Sequence, residues 1–391
     1  MTSGRRAHAI TFSNPNPQNL SFGSDFVYLY PGNMSERIPG QPIEWYWIPI
    51  DRQVLAALCC KSDWQGAVQT AGFFSVLACT GTAAYYSAGH WAWYLTVVLL
   101  FVHGTCWAFL SNAFHEFNHG TVFATRLLNR LLLYLVSFLS WNNPTLFWAS
   151  HTEHHKFTLY PTDDLELSPD ASPTLREFLG LAFINPAGLA RTLWTTLRHA
   201  RGHLRGAWEE RLFPRSKASQ RRQLSSWARV LLIGHSTLVA VAIFYHLWML
   251  PVVTSLAPFY GRGLQWLCNE SQHTGLPGNV PDFRLCSRTV YLNPALAFMY
   301  WYMNYHTDHH LFAAVPCYRL PRLHRLLRED FPPCPHGLLE VWREINATLQ
   351  RRKIEPGYQH FAPVPPKRPR EAALAGRSTV PRTISCPHGA N

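Results

Sequence analysis

Gly66 to Ala88 reads GAVQTAGFFSVLACTGTAAYYSA without one charged side chain, and Trp91 to Ala113 reads WAWYLTVVLLFVHGTCWAFLSNA, also without one. About 20 apolar residues in a helix suffice to cross a bilayer, so each stretch is long enough. Ser87-Ala88-Gly89-His90 forms a short turn between them, and Trp91 and Trp93 stand where indoles favour the water–hydrocarbon boundary. The two stretches therefore predict a transmembrane helical hairpin with spans at about 66–88 and 91–113. Directly after it comes His115-Glu116-Phe117-Asn118-His119.

The rest of the 391-residue chain fits a membrane setting. Charged residues make up 15% and aromatics 14%, with 15 Trp among them. A mean hydropathy of −0.09 excludes a chain that lies wholly in lipid. A net charge of +12 suits nucleic acid or an anionic membrane surface, and with no nucleic-acid module in view the membrane is the partner expected. Residues 1–64 read as a polar, Pro/Gly-rich leader and entry segment. Arg5 and Arg6 have no apolar stretch behind them, so the first internal span is expected to direct insertion. Residues 65–360 form the membrane domain, and 361–391 a basic, Pro-rich tail expected to be disordered.

A second apolar region runs from Trp227 to Leu267. Val230 to Trp248 is a convincing span, about 229–248. Met249 to Leu267 is weaker, broken by Pro251 and Pro258 and carrying Arg262. Hydropathy leaves open whether the region crosses once or twice. Between the hairpins lies a polar stretch rich in arginine, from Arg126 to Arg222, whereas the tight turns near Gly89 and Pro251 hold no Lys or Arg. The positive-inside rule puts this stretch in the cytosol. Leu127 to Trp141 is too short to span and predicts an interfacial helix. His103 and His235 lie inside spans and read as buried polar residues.

The 20 histidines are not scattered. Besides the first box there are His151-Thr152-Glu153-His154-His155 and His306-Thr307-Asp308-His309-His310, with His273 standing after the second apolar region. Positions i, i+3 and i+4 share a helix face, so each HxxHH is expected to present three imidazoles together. A zinc site closes at about four ligands. Nine imidazoles suit two metal ions, and imidazole alone does not name the metal. His115 follows the second span and so lies on the cytosolic side, with His151 and His154. His273 and the third box join them only if 249–267 crosses back. The expectation is an all-α integral membrane protein of two hairpins and four spans, with a cytosolic helical cap holding the histidines.

The boxes HEFNH, HTEHH and HTDHH, in this order with apolar pairs around them, resemble the membrane fatty acid desaturase and hydroxylase superfamily. The resemblance runs from about Gly66 to Leu320. It implies a di-iron centre ligated by His115, His119, His151, His154, His155, His273, His306, His309 and His310. Asn269, four residues before His273, is similar to the asparagine that acts on iron through water in acyl-CoA desaturases. It further implies O2 as co-substrate, an acyl or lipid-like chain as substrate, and desaturation as the reaction, with hydroxylation or ketolation as the alternative. No fused electron carrier is visible, so a separate cytochrome b5 or ferredoxin system is expected to supply electrons. The Arg191 to Arg222 segment suits either an acidic donor or membrane head groups. In a eukaryotic cell the expected address is the endoplasmic reticulum.

Glu116, Glu153 and Asp308 cannot share the ligand face of their boxes. They are expected to hydrogen-bond a ligand's free N–H, with simple solvation as the competing reading. Asp164, after the second box, is read in the same way or as a loop cap. A rival reading takes His115-Glu116-x-x-His119 as the HExxH pattern of a zinc protease with Glu116 as general base. It leaves two HxxHH boxes unexplained.

Overall fold

The computed structural model describes residues 39–166 and 175–367. Most of the expected leader and tail lie outside them. Among the described residues the protein is helical throughout, with isolated β-bridges and no strand. Three helices are long and apolar enough to cross a membrane: Asp63–Ser87, Trp93–His119 and Arg215–Phe244.

The first, α1 (Asp63–Ser87), starts on the Ser62 hydroxyl, which accepts from Gln65 N. It stops before Gly89, whose φ of +88 turns the chain. The second comprises α2 (Trp93–Ala108) and α3 (Leu110–His119), joined at Phe109. The first histidine box therefore lies on the last turns of the spanning helix, not beyond its end. Trp93, Val97, Val98 and Phe101 face outward, as lipid-facing residues should. On the other side, Phe73, Trp107, Leu110, Phe114 and Phe117 form the core beneath the box.

Leu127 to Trp141 forms α4 (Arg126–Leu139), which buries Asn129, Val136 and Ser137 and exposes Leu127, Leu131 and Leu135. After α5 (Pro144–Phe157) the arginine-rich stretch is itself helical, with α6 (Leu175–Ala182) and α7 (Pro186–Ala200). The third long helix, α8 (Ala218–Phe244), begins earlier than the hydropathy suggested and ends four residues sooner.

The expected span 249–267 is not one helix. It is divided into α9 (Met249–Val253), a 3-10 turn at Ala257–Phe259 and α10 (Gly263–Glu270). Pro251 and Pro258 remove backbone donors, so a continuous helix is disfavoured. The freed backbone groups find partners from distant elements. The Val253 carbonyl accepts from His103 Nε2 at 2.9 Å, and the Ser255 carbonyl from Trp141 Nε1 at 2.9 Å. Tyr260 Oη donates to the Val252 carbonyl at 3.0 Å. His235 stacks between Phe138 and Trp141, with ring centroids 4.2 and 3.9 Å away. Its Nδ1 meets Ser255 Oγ at 2.8 Å, and its Nε2 donates to the Phe138 carbonyl at 3.0 Å. Both in-span histidines are thus buried polar residues that tie down the broken segment.

The segment lies close against α2. A Cβ on Gly104 would run into the Tyr260 ring and carbonyl, and one on Gly261 would meet the Phe101 carbonyl at 2.9 Å. Gly104→Val is therefore expected to destabilise the protein by about 1–3 kcal/mol through overpacking. Val98→Ala, on the outward face, should cost under about 0.5 kcal/mol. Thermal unfolding in detergent measures both, and a Gly104→Val protein as stable as the wild type contradicts this packing.

Candidate metal centre

Four segments bring the histidines together. Helix α3 supplies His115 and His119, one turn apart. Helix α5 supplies His151, His154 and His155; it starts on Asn143, whose Oδ1 accepts from Thr145 N and Leu146 N, with Pro144 in the first turn. His273 comes from the turn after α10. The third box forms the short helix α11 (His306–Leu311), buried along its whole length. Ahead of α11, Trp301 and Tyr302 adopt left-handed φ values of 54 and 57. Such angles cost a bulky residue of order 1–3 kcal/mol each. They are held by the fully buried Trp301 ring, packed on Phe73 at 5.6 Å and Phe117 at 5.4 Å.

All nine expected ligands fall into two groups, each with its ligand atoms within 4.8 Å of one another. One holds His115, His119, His151, His155 and His309; the other holds His154, His273, His306 and His310. The expectation that each HxxHH acts as one triple needs correction. On a helix turning about 100° per residue, i+3 and i+4 lie on opposite sides of i. His151 and His155 accordingly enter one group and His154 the other; His306 and His310 enter one and His309 the other.

The rings point one way. His151 Nε2 lies 3.0 Å from His155 Nε2, which lies 3.2 Å from His309 Nε2. In the other group His306 Nε2 lies 2.8 Å from His273 Nε2 and 3.0 Å from His310 Nε2. His115 Nε2 and His119 Nε2 are buried with no hydrogen-bond partner. A buried nitrogen left bare is costly, whereas one with its lone pair on a metal is satisfied. Nitrogens this close together can serve one metal ion.

The opposite ring nitrogens are held from outside. Nδ1 of His115 bonds Glu116 Oε1 at 3.0 Å, that of His151 bonds Glu166 Oε1 at 2.9 Å, and that of His154 bonds Asp164 Oδ2 at 2.9 Å. His273 Nδ1 donates to the Cys286 carbonyl at 2.8 Å. A proton held on Nδ1 leaves the Nε2 lone pair directed inward. Burial pushes His151, His155, His306, His309 and His310 well below the usual imidazole range and His273 down to about 3, which favours the neutral form metals require. His154 is the exception: burial lowers it, but the Asp164 carboxylate outweighs burial and raises it.

Of the expected supporting carboxylates, Glu116 and Asp164 touch a histidine of the groups. Asp164 also accepts from Leu159 N and Glu166 N, so it caps its loop as well. Glu153 does not: it pairs with Lys156 at 2.9 Å on the outer side of α5. Asp308 reaches none of the nine either; it bonds His324 Nδ1 at 3.0 Å and Thr289 Oγ1 at 3.1 Å. Asn269 Oδ1 accepts from Asn112 Nδ2 at 3.2 Å. Sequence reasoning missed Glu166, whose one signal was its place in the acidic run Asp163-Asp164-Leu165-Glu166 after the second box.

The family model for fatty acid desaturases matches residues 89–342, well over half of the chain and all three boxes. The chain belongs to the fatty acid desaturase family. No curated protein matches it.

Asp164→Ala is expected to lower metal affinity about 10–100-fold while the helices stay intact. Titration of the metal-stripped protein with ferrous ion, alongside circular dichroism, measures this; unchanged affinity would leave Asp164 a loop cap only.

Proposed function

We propose that this protein carries out O2-dependent desaturation of an acyl or lipid-like chain at a histidine-ligated di-iron centre. The observation that carries the reading is the division of nine imidazoles into groups of five and four with their Nε2 atoms turned inward. His115, His119, His151, His155 and His309 would hold one iron and His154, His273, His306 and His310 the other. Asn269 would stand beside the second group. Five imidazoles in one group exceed what zinc takes, and Glu116 engaged with His115 Nδ1 acts as a positioning residue, which speaks against the zinc-protease reading.

Two irons supply the ability to activate O2 against an unactivated C–H bond, which side chains alone lack. The protein's task is positional. Nδ1 partners fix the rings of His115, His151, His154 and His273, and burial favours the neutral form of His151, His155, His306, His309 and His310. A mainly apolar cavity of about 320 Å³ adjoins the groups, walled by Trp45, Trp47, Trp148 and Phe283 and touching His119 and His155. Such a wall suits a chain with no polar handle at the reacting carbon and must place it by shape alone.

In this reading residues 65–360 form the catalytic unit and the segment 249–267 is the fourth crossing, made by broken helices. Irregular backbone is tolerated at membrane depth only where its polar groups are paired within the protein, as those around Val253 and Ser255 are. The nine grouped histidines then share the cytosolic face, in the endoplasmic reticulum of a eukaryotic cell. A separate cytochrome b5 or ferredoxin system delivers the electrons.

Expression in yeast followed by lipid mass spectrometry tests the reaction. The expected product lacks two hydrogens; a product gaining oxygen would replace desaturation with hydroxylation or ketolation at the same centre. His151→Ala and His309→Ala are expected to lose iron and at least about 100-fold of the activity with membrane insertion unchanged. Full turnover by either variant, or one zinc per chain without iron, would overturn the di-iron reading.

A further inference from the structure

The arginine-rich stretch does not stay outside the membrane-spanning helices. Helix α7 packs against α8, and Arg229 Nε donates to the Ala200 carbonyl at 2.9 Å, where the apolar part of α8 begins. Pro186 stands at the other end of α7, about 21 Å along the helix at 1.5 Å per residue. Phe183, between α6 and α7, stacks on Phe101 with centroids 5.6 Å apart. Phe101 is eight residues into the 27-residue helix Trp93–His119, about 12 Å from its outer end. Phe183 therefore stands beside a spanning residue well within a hydrocarbon core of about 30 Å.

The tip of this hairpin is built for such a place. Asn185 N donates to the Phe259 carbonyl at 2.7 Å, and Gly261 N to the Phe183 carbonyl at 3.0 Å. Pro186 has no N–H, and Gly188 N is taken by Asn185 Oδ1 at 2.8 Å. The outward side chains are apolar: Phe183 is 56% exposed, Ile184 71% and Trp194 59%. At 8 and 15 residues neither helix can cross, so the chain enters and leaves on one side. Charges gather at the outer ends, Arg176 on α6 and Arg198 and Arg201 about α7.

Arg191 stands nine residues before Ala200 on the same helix. It lines a cavity of about 250 Å³ with Thr192, Thr195, Asn142, Asn143 and Arg205. Two arginines beside polar side chains in one cavity suit an anionic group.

We propose that α6 and α7 form a re-entrant hairpin in the bilayer, and that the cavity between α7 and α8 seats the phosphate of an anionic lipid whose chains lie on the hairpin's apolar face. The proposal rests on α2 and α8 crossing the membrane and is independent of the metal centre.

In nanodiscs, which leave both faces open, Ile184→Cys, Val98→Cys and His203→Cys are treated with a charged maleimide and read by peptide mass spectrometry. Ile184→Cys and Val98→Cys are expected to react at least about tenfold more slowly than His203→Cys. Fast reaction at Ile184→Cys with Val98→Cys protected overturns the hairpin alone; fast reaction at both overturns the spans. Native mass spectrometry of protein from phosphatidylglycerol–phosphatidylcholine vesicles tests the cavity. The wild type should retain phosphatidylglycerol in preference, and Arg191→Gln with Arg205→Gln should reduce it about tenfold, while Arg191→Lys keeps most of it. Equal retention of the two lipids by the wild type, unchanged retention by the double variant, or displacement by inorganic phosphate overturns the lipid site.

Discussion

Nine imidazoles cannot be crowded into one buried region while they carry protons on the nitrogens that face each other. Nitrogens 2.8 to 3.2 Å apart tolerate neither two charges nor two opposed hydrogens. Several features around the cluster answer that constraint. Burial disfavours the charged rings, and Glu116, Glu166, Asp164 and the Cys286 carbonyl draw the single proton to the outer nitrogen. The carboxylates bring compensating negative charge, so the site is suited to metal cations.

The helices that carry the cluster need a rigid floor, which the packing around Phe73, Phe117 and Trp301 provides. The same half of the molecule contains the least regular chain, from α9 to α10. Its irregularity is compensated by side chains reaching from other helices: His103 from α2, His235 from α8, and Trp141 from the end of α4. Site and scaffold therefore share a device: His103, His235 and Trp141 in the scaffold, and the Nδ1 atoms of His115, His151, His154 and His273 in the site, each meet a named partner.

Much of this was legible in the sequence. Uncharged runs of sufficient length revealed α1, α2 and α8, and the boxes brought out eight of the nine histidines, with His273 marked by its place after the second apolar region. What escaped notice depended on tertiary structure. No periodicity could announce that Pro251 and Pro258 would be accommodated by partners more than a hundred residues away. Glu166 lies fifteen residues from the ring it holds. Glu153 and Asp308 sit beside ligands in sequence, yet the helix turn carries them to Lys156 and His324. Helices α6 and α7 were hidden because arginines at their ends dilute the hydropathy of short apolar segments.

The splitting of the HxxHH boxes has a mechanical consequence. Adjacent residues His154 and His155 belong to opposite groups, as do His309 and His310. The interval between the groups is therefore gauged by a single peptide step on α5 and again on α11, and a rotation of either helix would draw nitrogens toward one group as it withdrew them from the other. The two groups are geared together, so whatever fills one aligns the helices for the other.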